Sequence, residues 1–235
     1  MKITLLSETF NGMELISAAG YMCYTDDTVE GIIKRVENSS KEAIEGYIKN
    51  LLDKKHYSVL EHVSFSFGIE GISRACSHQL VRHRIASYSQ RSQRYVSEKQ
   101  FKYVTPETFD NMTAGTLWFE NKMKTIQKWY NEAIKAGVPK EDARYLLPNA
   151  CETSLIMTMN IRELLHFFTV RCCNRAQLEI KNMAIEMLKI LKTKYPVIFE
   201  NVGPSCVSAK CNEGSLSCGK MKEVKTKFKN LIGKI

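Results

Sequence analysis

Twice along this chain, apolar and polar positions alternate strictly. Val63, Phe65, Phe67 and Ile69 are interleaved with Ser64, Ser66 and Gly68. That period of two puts one face of a strand in a core and the other at a surface. Thr153, Leu155, Met157 and Met159 repeat the pattern, and Ile3 to Leu6 reads as a further short strand. Elsewhere the spacing is helical. Ser39-x-x-Glu42 has the form of a capping box and opens a helix that runs toward Lys54. Ile72, Ala75, Cys76 and Leu80 fall on one helical stripe that leads to Arg82. Thr105-Pro106-Glu107 predicts a helix with Pro at its first position, continuing to Gly137 and carrying Trp118, Phe119, Met123, Ile126, Trp129 and Tyr130. A shorter helix begins at Pro139 and stops before Pro148. Asn160-x-x-Glu163 opens another, and a last long one spans about Ala176 to Lys194 before Pro196. The sum is an α+β fold with more helix than strand and a small, antiparallel-rich sheet. The expected organisation is a single domain over residues 1–200 and a basic, Cys-containing C-terminal tail over 201–235.

Composition narrows the class. At 235 residues and 44% hydrophobic the chain can bury a real core. Of the formal charge of +9, the stretch from Cys206 to the end contributes +5, with seven Lys against Glu213 and Glu223. The body is therefore only mildly basic, and a general affinity for nucleic acid is not expected. The first residues lack an apolar signal region, and no apolar run approaches membrane-spanning length. Eight Cys in such a chain predict reduced thiols and a cytoplasmic location. Cys206, Cys211 and Cys218 form no Cys-x-x-Cys pair and have no nearby His, so they read as free thiols in a solvated tail, and no metal is expected. Neither a G-x-G-x-x-G nor a Walker motif occurs, which excludes the commonest dinucleotide and P-loop designs.

The arginines carry the chemistry. Nine of the ten lie in two stretches free of lysine, between Lys55 and Lys99 and between Lys140 and Lys181. A planar guanidinium fork grips phosphate or carboxylate bidentately and keeps its charge when partly desolvated. The first stretch holds Arg82-His83-Arg84, then Arg91-Ser92-Gln-Arg94, with no Asp or Glu from Arg74 to Ser97. Its positive charge is expected to meet an anion from outside the segment. Gln79 and Arg82 share a helical face, while Ser87, Ser89, Gln90, Ser92 and Gln93 supply neutral donors and acceptors. Phosphate-gripping forks beside hydroxyls and carboxamides suit a small nucleotide. An exposed Arg-rich turn and an RNA-contacting patch stay open, though only Tyr88 and Tyr95 are at hand for base stacking.

The second stretch contains Arg144, Arg162, Arg171 and Arg175. Arg162 and His166 are one helical turn apart, whereas Arg171 lies about 180° around the axis from Arg162. A structural role competes at two of these positions: Asn160 as a helix cap, and Arg162 as the partner of an internal acid. A third constellation, His56-Tyr-Ser58-Val-Leu-Glu61-His62, contains a second capping box, Ser58-x-x-Glu61, and its histidine spacing is not that of metal ligands. No nucleophile–base pair is legible, so Ser92 reads as a hydrogen-bond donor to substrate, and any catalysis calls for a bound cofactor.

Arg82-His83-Arg84, seven residues, then Ser92 resembles the signature of the flavin-dependent thymidylate synthases. His56-x-Ser58-x-x-Glu61-His62, Gln79, Arg144, Asn160-x-Arg162, His166, Arg171 and Ala176-Gln177-x-Glu179-Ile180 fall in that family's order, so the resemblance spans about residues 1–196. It implies reductive methylation of dUMP at C5 to dTMP. Methylenetetrahydrofolate would be the carbon donor, FAD the cofactor and NADPH the reductant, in a cytoplasmic homotetramer with FAD at subunit contacts. By the same resemblance Ser58, Arg82, His83, Arg84, Gln90, Asn160, Arg162 and His166 contact FAD. Gln79, Arg82, Gln90, Arg91, Ser92, Arg94, Arg144 and Arg171 hold dUMP, and His56 is a further folate or flavin contact. Arg171 is the catalytic group, favouring negative charge on the pyrimidine. The chain departs from the family where Ser89-Gln90 replaces a frequent Asn-Glu, and where Arg175 replaces a frequent His. Two rivals are a nucleotide- or RNA-binding protein without catalysis and a related flavin enzyme acting on another pyrimidine nucleotide.

Overall fold

A computed structural model of the chain describes residues 1–231. The architecture is α+β, built on a four-stranded antiparallel sheet. Its strands are β1 (Lys2–Glu8), β2 (Ser64–Ser73), β3 (Ala86–Gln90) and β4 (Glu152–Asn160), in the order β1-β2-β4-β3. Backbone bonds just beyond the strand ends set the register: Thr9 N–H to Ser64 O, Ile161 N–H to Val63 O and Arg91 N–H to Ser154 O. Each joins the end of one strand to the start of its neighbour, as antiparallel pairing requires. The alternation in β2 is literal, since Val63, Phe65, Phe67 and Ile69 are all fully buried. In β4 the same holds for Thr153, Leu155, Met157 and Met159.

The chain divides into two compact units, and each of the four strands contributes residues to both. The larger comprises Ile3–Phe67, His83–Ser87 and Thr158 onward. It contains α1 (Gly12–Met22), α2 (Val29–Glu37) and α3 (Lys41–Asp53), a 3-10 turn at Ser58–His62, α7 (Ile161–Arg171) and α8 (Leu178–Lys194). Helices α1 and α3 pack closely because Gly20 offers no side chain; a Cβ there would lie 2.7 Å from Leu51 Cδ1. Phe65, Phe168 and Phe199 meet edge to face at the centre of this unit's core. The smaller unit comprises Met1–Lys2, Gly68–Arg82 and Tyr88–Met157. It holds α4 (Arg74–Leu80), α5 (Gly115–Lys135) and α6 (Lys140–Ala143), with a core of Phe101, Phe119, Met123 and Cys151.

Several expectations need correction. Helices α1 and α2 have no counterpart in the sequence reading. The cap of α3 is Ser40, whose hydroxyl accepts from Ala43 N–H, whereas Ser39 donates to Arg35 O. Pro106 is extended and starts only a 3-10 turn, Glu107–Phe109; the long helix waits until Gly115. That entry is tight, because a Cβ on Gly115 would sit 2.2 Å from Phe109 O. Ser58 makes no cap bond in its 3-10 turn. The Arg-rich segment, for which no strand was expected, contributes strand β3.

The C-terminal stretch is the largest departure. Instead of a solvated tail it continues from α9 (Pro196–Phe199) into α10 (Ser205–Ser208) and α11 (Met221–Lys229), burying Cys206, Val224 and Phe228. The buried Lys192 of α8 fastens it, its Nζ donating to Glu200 O and Phe228 O at 2.6 Å each. Burial lowers the Lys192 pKa, with Glu200 pulling the other way. All eight cysteines are free thiols. The last four residues of the expected tail lie outside the described ones.

Candidate active site

The expected site residues fall into two groups, one in each unit. In the smaller unit, α4 starts from Ser73, whose hydroxyl accepts from Cys76 N–H, and it ends at Leu80. This places Gln79 on its last turn and Arg82 just beyond, exposed. After β3, Ser92 Oγ accepts from Arg94 N–H at 3.1 Å, which leaves the hydroxyl proton for an outward donor bond. Gln90 is partly committed, since its Nε2 donates to Thr153 Oγ1 at 3.3 Å.

The anions that meet these cations include the protein's own acids from outside the segment, Glu98 just beyond it and Glu141 farther along the chain. Arg94 Nε lies 2.5 Å from Glu141 Oε2, and Arg144 Nε donates to Glu141 O at 2.9 Å. One residue of α6 therefore gathers two of the guanidinium groups expected at the nucleotide. Arg91 faces the buried Glu98 at 3.5 Å, and beneath it Arg74 Nη2 donates to Arg91 O at 2.6 Å. Burial lowers the Arg74 pKa. Arg74, Glu98 and Glu141 are the members of this group that motif reading missed. Nothing local in sequence marks them, since each is recognisable only by its three-dimensional neighbour.

In the larger unit, Asn160 caps α7 through a bond from Glu163 N–H to its Oδ1 at 2.9 Å, and this cap aims the helix. One face of α7 then opens on a concave pocket of about 480 Å³, lined by Glu61, Ile85, Asn160, Arg162, Glu163 and His166. Arg162 and His166 share that face, as one-turn spacing predicts. Arg162 is ion-paired with Glu61, the internal acid that the sequence left open. Ser58, Arg84 and His56 do not line the pocket. Ser58 and Arg84 are exposed, and His56 instead rests edge-on against Tyr24, its Nδ1 3.4 Å from the phenol oxygen.

From Glu163 in the pocket wall runs a chain of three side chains, in which Glu163 and His83 are buried and Arg171 is half-buried. Arg171 Nε donates to His83 Nε2 at 3.0 Å, and His83 Nδ1 lies 3.1 Å from Glu163 Oε1. Burial lowers the His83 pKa and the Arg171 cation adds to that, while Glu163 opposes both. His83 packs edge-on against Phe167, and the His166 ring is 5.8 Å away. No cysteine competes as nucleophile on chemical grounds in the buried positions 151 and 172. Burial pushes the Cys151 thiol up to about 11 and raises the Cys172 thiol as well, so both stay protonated near neutrality. Among the described residues no three His, Cys, Asp or Glu side chains are grouped to hold a metal ion, and no helix is long and apolar enough to cross a membrane.

Comparison with known proteins decides the family. The family described as thymidylate synthase complementing protein matches residues 4–197. A flavin-dependent thymidylate synthase of Geobacter sulfurreducens is 46% identical over 233 residues, which cover 98% of this chain and 99% of the relative. The chain belongs to the flavin-dependent thymidylate synthases. A Clostridium tetani protein of that name is 44% identical with 96% of each chain covered, and one from Pyrococcus furiosus is 39% identical with 88% and 87% covered. For a flavin-dependent thymidylate synthase the pocket's composition is apt. Its wall combines a guanidinium (Arg162), two neutral hydrogen-bonding groups (Asn160 and His166), two carboxylates (Glu61 and Glu163) and an apolar side chain (Ile85). The span matched by the family ends at residue 197, before α10 and α11, whereas the Geobacter sulfurreducens relative aligns over 98% of this chain.

Proposed function

We propose that this enzyme converts dUMP to dTMP by reductive methylation, taking its carbon from methylenetetrahydrofolate and its electrons from NADPH through FAD. The observation that carries this reading is the Arg171–His83 bond. A guanidinium of the second arginine stretch is held at 3.0 Å by the histidine of the Arg-His-Arg motif. A residue expected at FAD and a residue expected at dUMP are thus joined by a direct hydrogen bond, which supports two adjoining ligands.

The pocket residues suit the cofactor. Asn160, Arg162 and His166, with Arg82, His83, Arg84, Gln90 and Ser58 of the motif segments, would hold FAD, and His56 would add a folate or flavin contact. When bound, the flavin supplies the two-electron chemistry that no side chain here provides. The protein binds, orients and stabilises charge. Arg94, Arg144 and Arg91 grip the nucleotide phosphate, with Gln79, Arg82, Gln90 and Ser92 as further contacts. Arg171 stands against the pyrimidine, where a fixed cation stabilises negative charge developing on the ring and makes C5 more nucleophilic. The assembly is a homotetramer acting in the cytoplasm, with FAD at subunit contacts, and light scattering of the purified protein tests that size.

The decisive experiment is an anaerobic assay of dTMP formation with dUMP, methylenetetrahydrofolate, FAD and NADPH, each omitted in turn and dUMP replaced by UMP or dCMP. Product only with the complete dUMP mixture supports the reading. A purified protein without flavin absorbance and without product overturns it. Arg171→Ala is expected to keep bound FAD and lose most turnover, and normal turnover in that variant would refute the role given to Arg171.

A further inference from the structure

The carboxylate of Glu163 belongs to none of the motifs that mark the site, yet it stands at the buried end of the side-chain relay that reaches the half-buried Arg171. An arginine side chain has only donors. The 3.0 Å bond from Arg171 Nε therefore requires an unprotonated Nε2 on His83. The ring proton must then sit on Nδ1, where it donates to Glu163 Oε1 across 3.1 Å. A charged imidazolium is incompatible with this arrangement, because both its nitrogens would be donors and one would face the Arg171 N–H. The contact between His83 and Glu163 is accordingly a neutral imidazole on a carboxylate rather than an ion pair.

The surroundings restrict all three groups. His83 and Glu163 are buried, and Phe167 packs against the imidazole face with ring centres 5.0 Å apart. Glu163 is itself set by the helix start, its N–H bonded to the Asn160 cap. Glu163 and Arg171 lie eight residues apart on α7, about 12 Å along its axis and roughly 80° around it. His83 bridges that gap. An acceptor at Nδ1 fixes the tautomer of a histidine and thereby what its Nε2 can do, the same logic by which carboxylates orient metal-ligating histidines.

We propose that Glu163 is a positioning residue for the reaction. It holds His83 in the Nδ1–H tautomer, so that Nε2 accepts from Arg171 and fixes the guanidinium plane toward the substrate. This rests on the assignment of Arg171 to the pyrimidine.

The test pairs kinetics with a direct view of the tautomer. Long-range ¹H–¹⁵N spectra of histidine-labelled holoenzyme, with His83 assigned through a His83→Gln variant, report which ring nitrogen carries the proton. Wild type is expected to show Nδ1–H at position 83. Glu163→Ala removes the acceptor, and Glu163→Gln keeps the volume but offers an amide that can donate as well as accept. Both are expected to shift His83 toward the Nε2–H form and to lower kcat by about 10–100-fold, the size typical of losing an orienting outer carboxylate. FAD content and the KM for dUMP should stay near wild type, with kcat and kcat/KM falling together. A merely structural carboxylate would change melting temperature without moving the tautomer. Wild-type kcat in a folded Glu163→Ala protein overturns the proposal, as does an Nε2–H signal in the wild type. Should neither variant fold, the wild-type spectrum alone decides. Absence of dTMP from wild type would instead refute the functional reading, leaving the spectrum to test the hydrogen-bond chain separately.

Discussion

Replacing Phe228 with alanine should release the C-terminal helix without unfolding the rest. The ring is 2% exposed and lies over Gly203, where even a Cβ would come within 2.7 Å of Phe228 Cδ1. Truncating a buried Phe to Ala costs about 3–5 kcal/mol through lost transfer energy and the cavity left behind. Helix α11 has nine residues and cannot persist alone in water, so its stability comes from Phe228, Val224 and the Lys192 bond to Phe228 O. The loss falls chiefly on this segment, and its detachment is expected to cost less than global unfolding. At about 1.4 kcal/mol per decade, even the lower figure raises the open population at least a hundredfold. Lys222, Lys225, Lys227 and Lys229 make the opening readable by brief trypsin treatment, and hydrogen exchange of Met221–Lys229 gives a second measure. The expected outcome is tail cleavage at least a hundredfold faster, with a melting temperature close to wild type. Unchanged cleavage would refute the packing argument. Cooperative loss of the whole fold would show that the segment is part of the main core.

Two further outcomes follow from the site. Arg94→Ala should weaken dUMP binding about tenfold, since a hydrogen bond to a charged phosphate contributes about 1.5–3 kcal/mol and part of it is offset by the Glu141 pair that must first be broken. Titration calorimetry checks this, and an unchanged Kd in a folded variant speaks against the phosphate contact. Burial holds the His83 pKa below its ordinary value of 6.5, so the unfolded chain takes up that proton first as the pH falls. The unfolded state then binds more protons, and stability drops as pH falls below about 6.5. Melting temperatures between pH 7.5 and 5.5 should decline more steeply in wild type than in His83→Gln, and parallel slopes would contradict the assignment.

How far the sequence led depended on whether each signal was local. Strict alternation revealed β2 and β4 because both bury a full row of side chains on one face. β3 stayed hidden because Ala86–Gln90 has no apolar row and is held through backbone pairing. Helix α1 escaped because its buried face includes Gly12, Ser17 and Gly20, where close approach replaces a hydrophobic stripe. Helix α2 is capped by Thr28, but Gly31 occupies the position where a capping box needs Glu or Gln. The Asn160 cap and the α8 limit at Pro196 were legible since both are written within a few residues. The arginines announced an anion site, but the acids that hold them did not. Glu61 is 101 positions from Arg162, and Glu141 is 47 from Arg94, distances over which only folding creates the pairing.

Those carboxylates alter how binding should respond to ionic strength. A protein that meets phosphate with bare cations sheds small counterions from both partners, and its affinity falls steeply with added salt. Here Arg94 and Arg162 start out neutralised by Glu141 and Glu61, so a phosphate bound at the proposed sites would trade places with a tethered acid group that swings out into water. Salt weakens the tethered pair and the new one alike, and the two effects largely cancel. Affinity for anionic ligands should accordingly change with salt concentration far less than the number of arginines suggests.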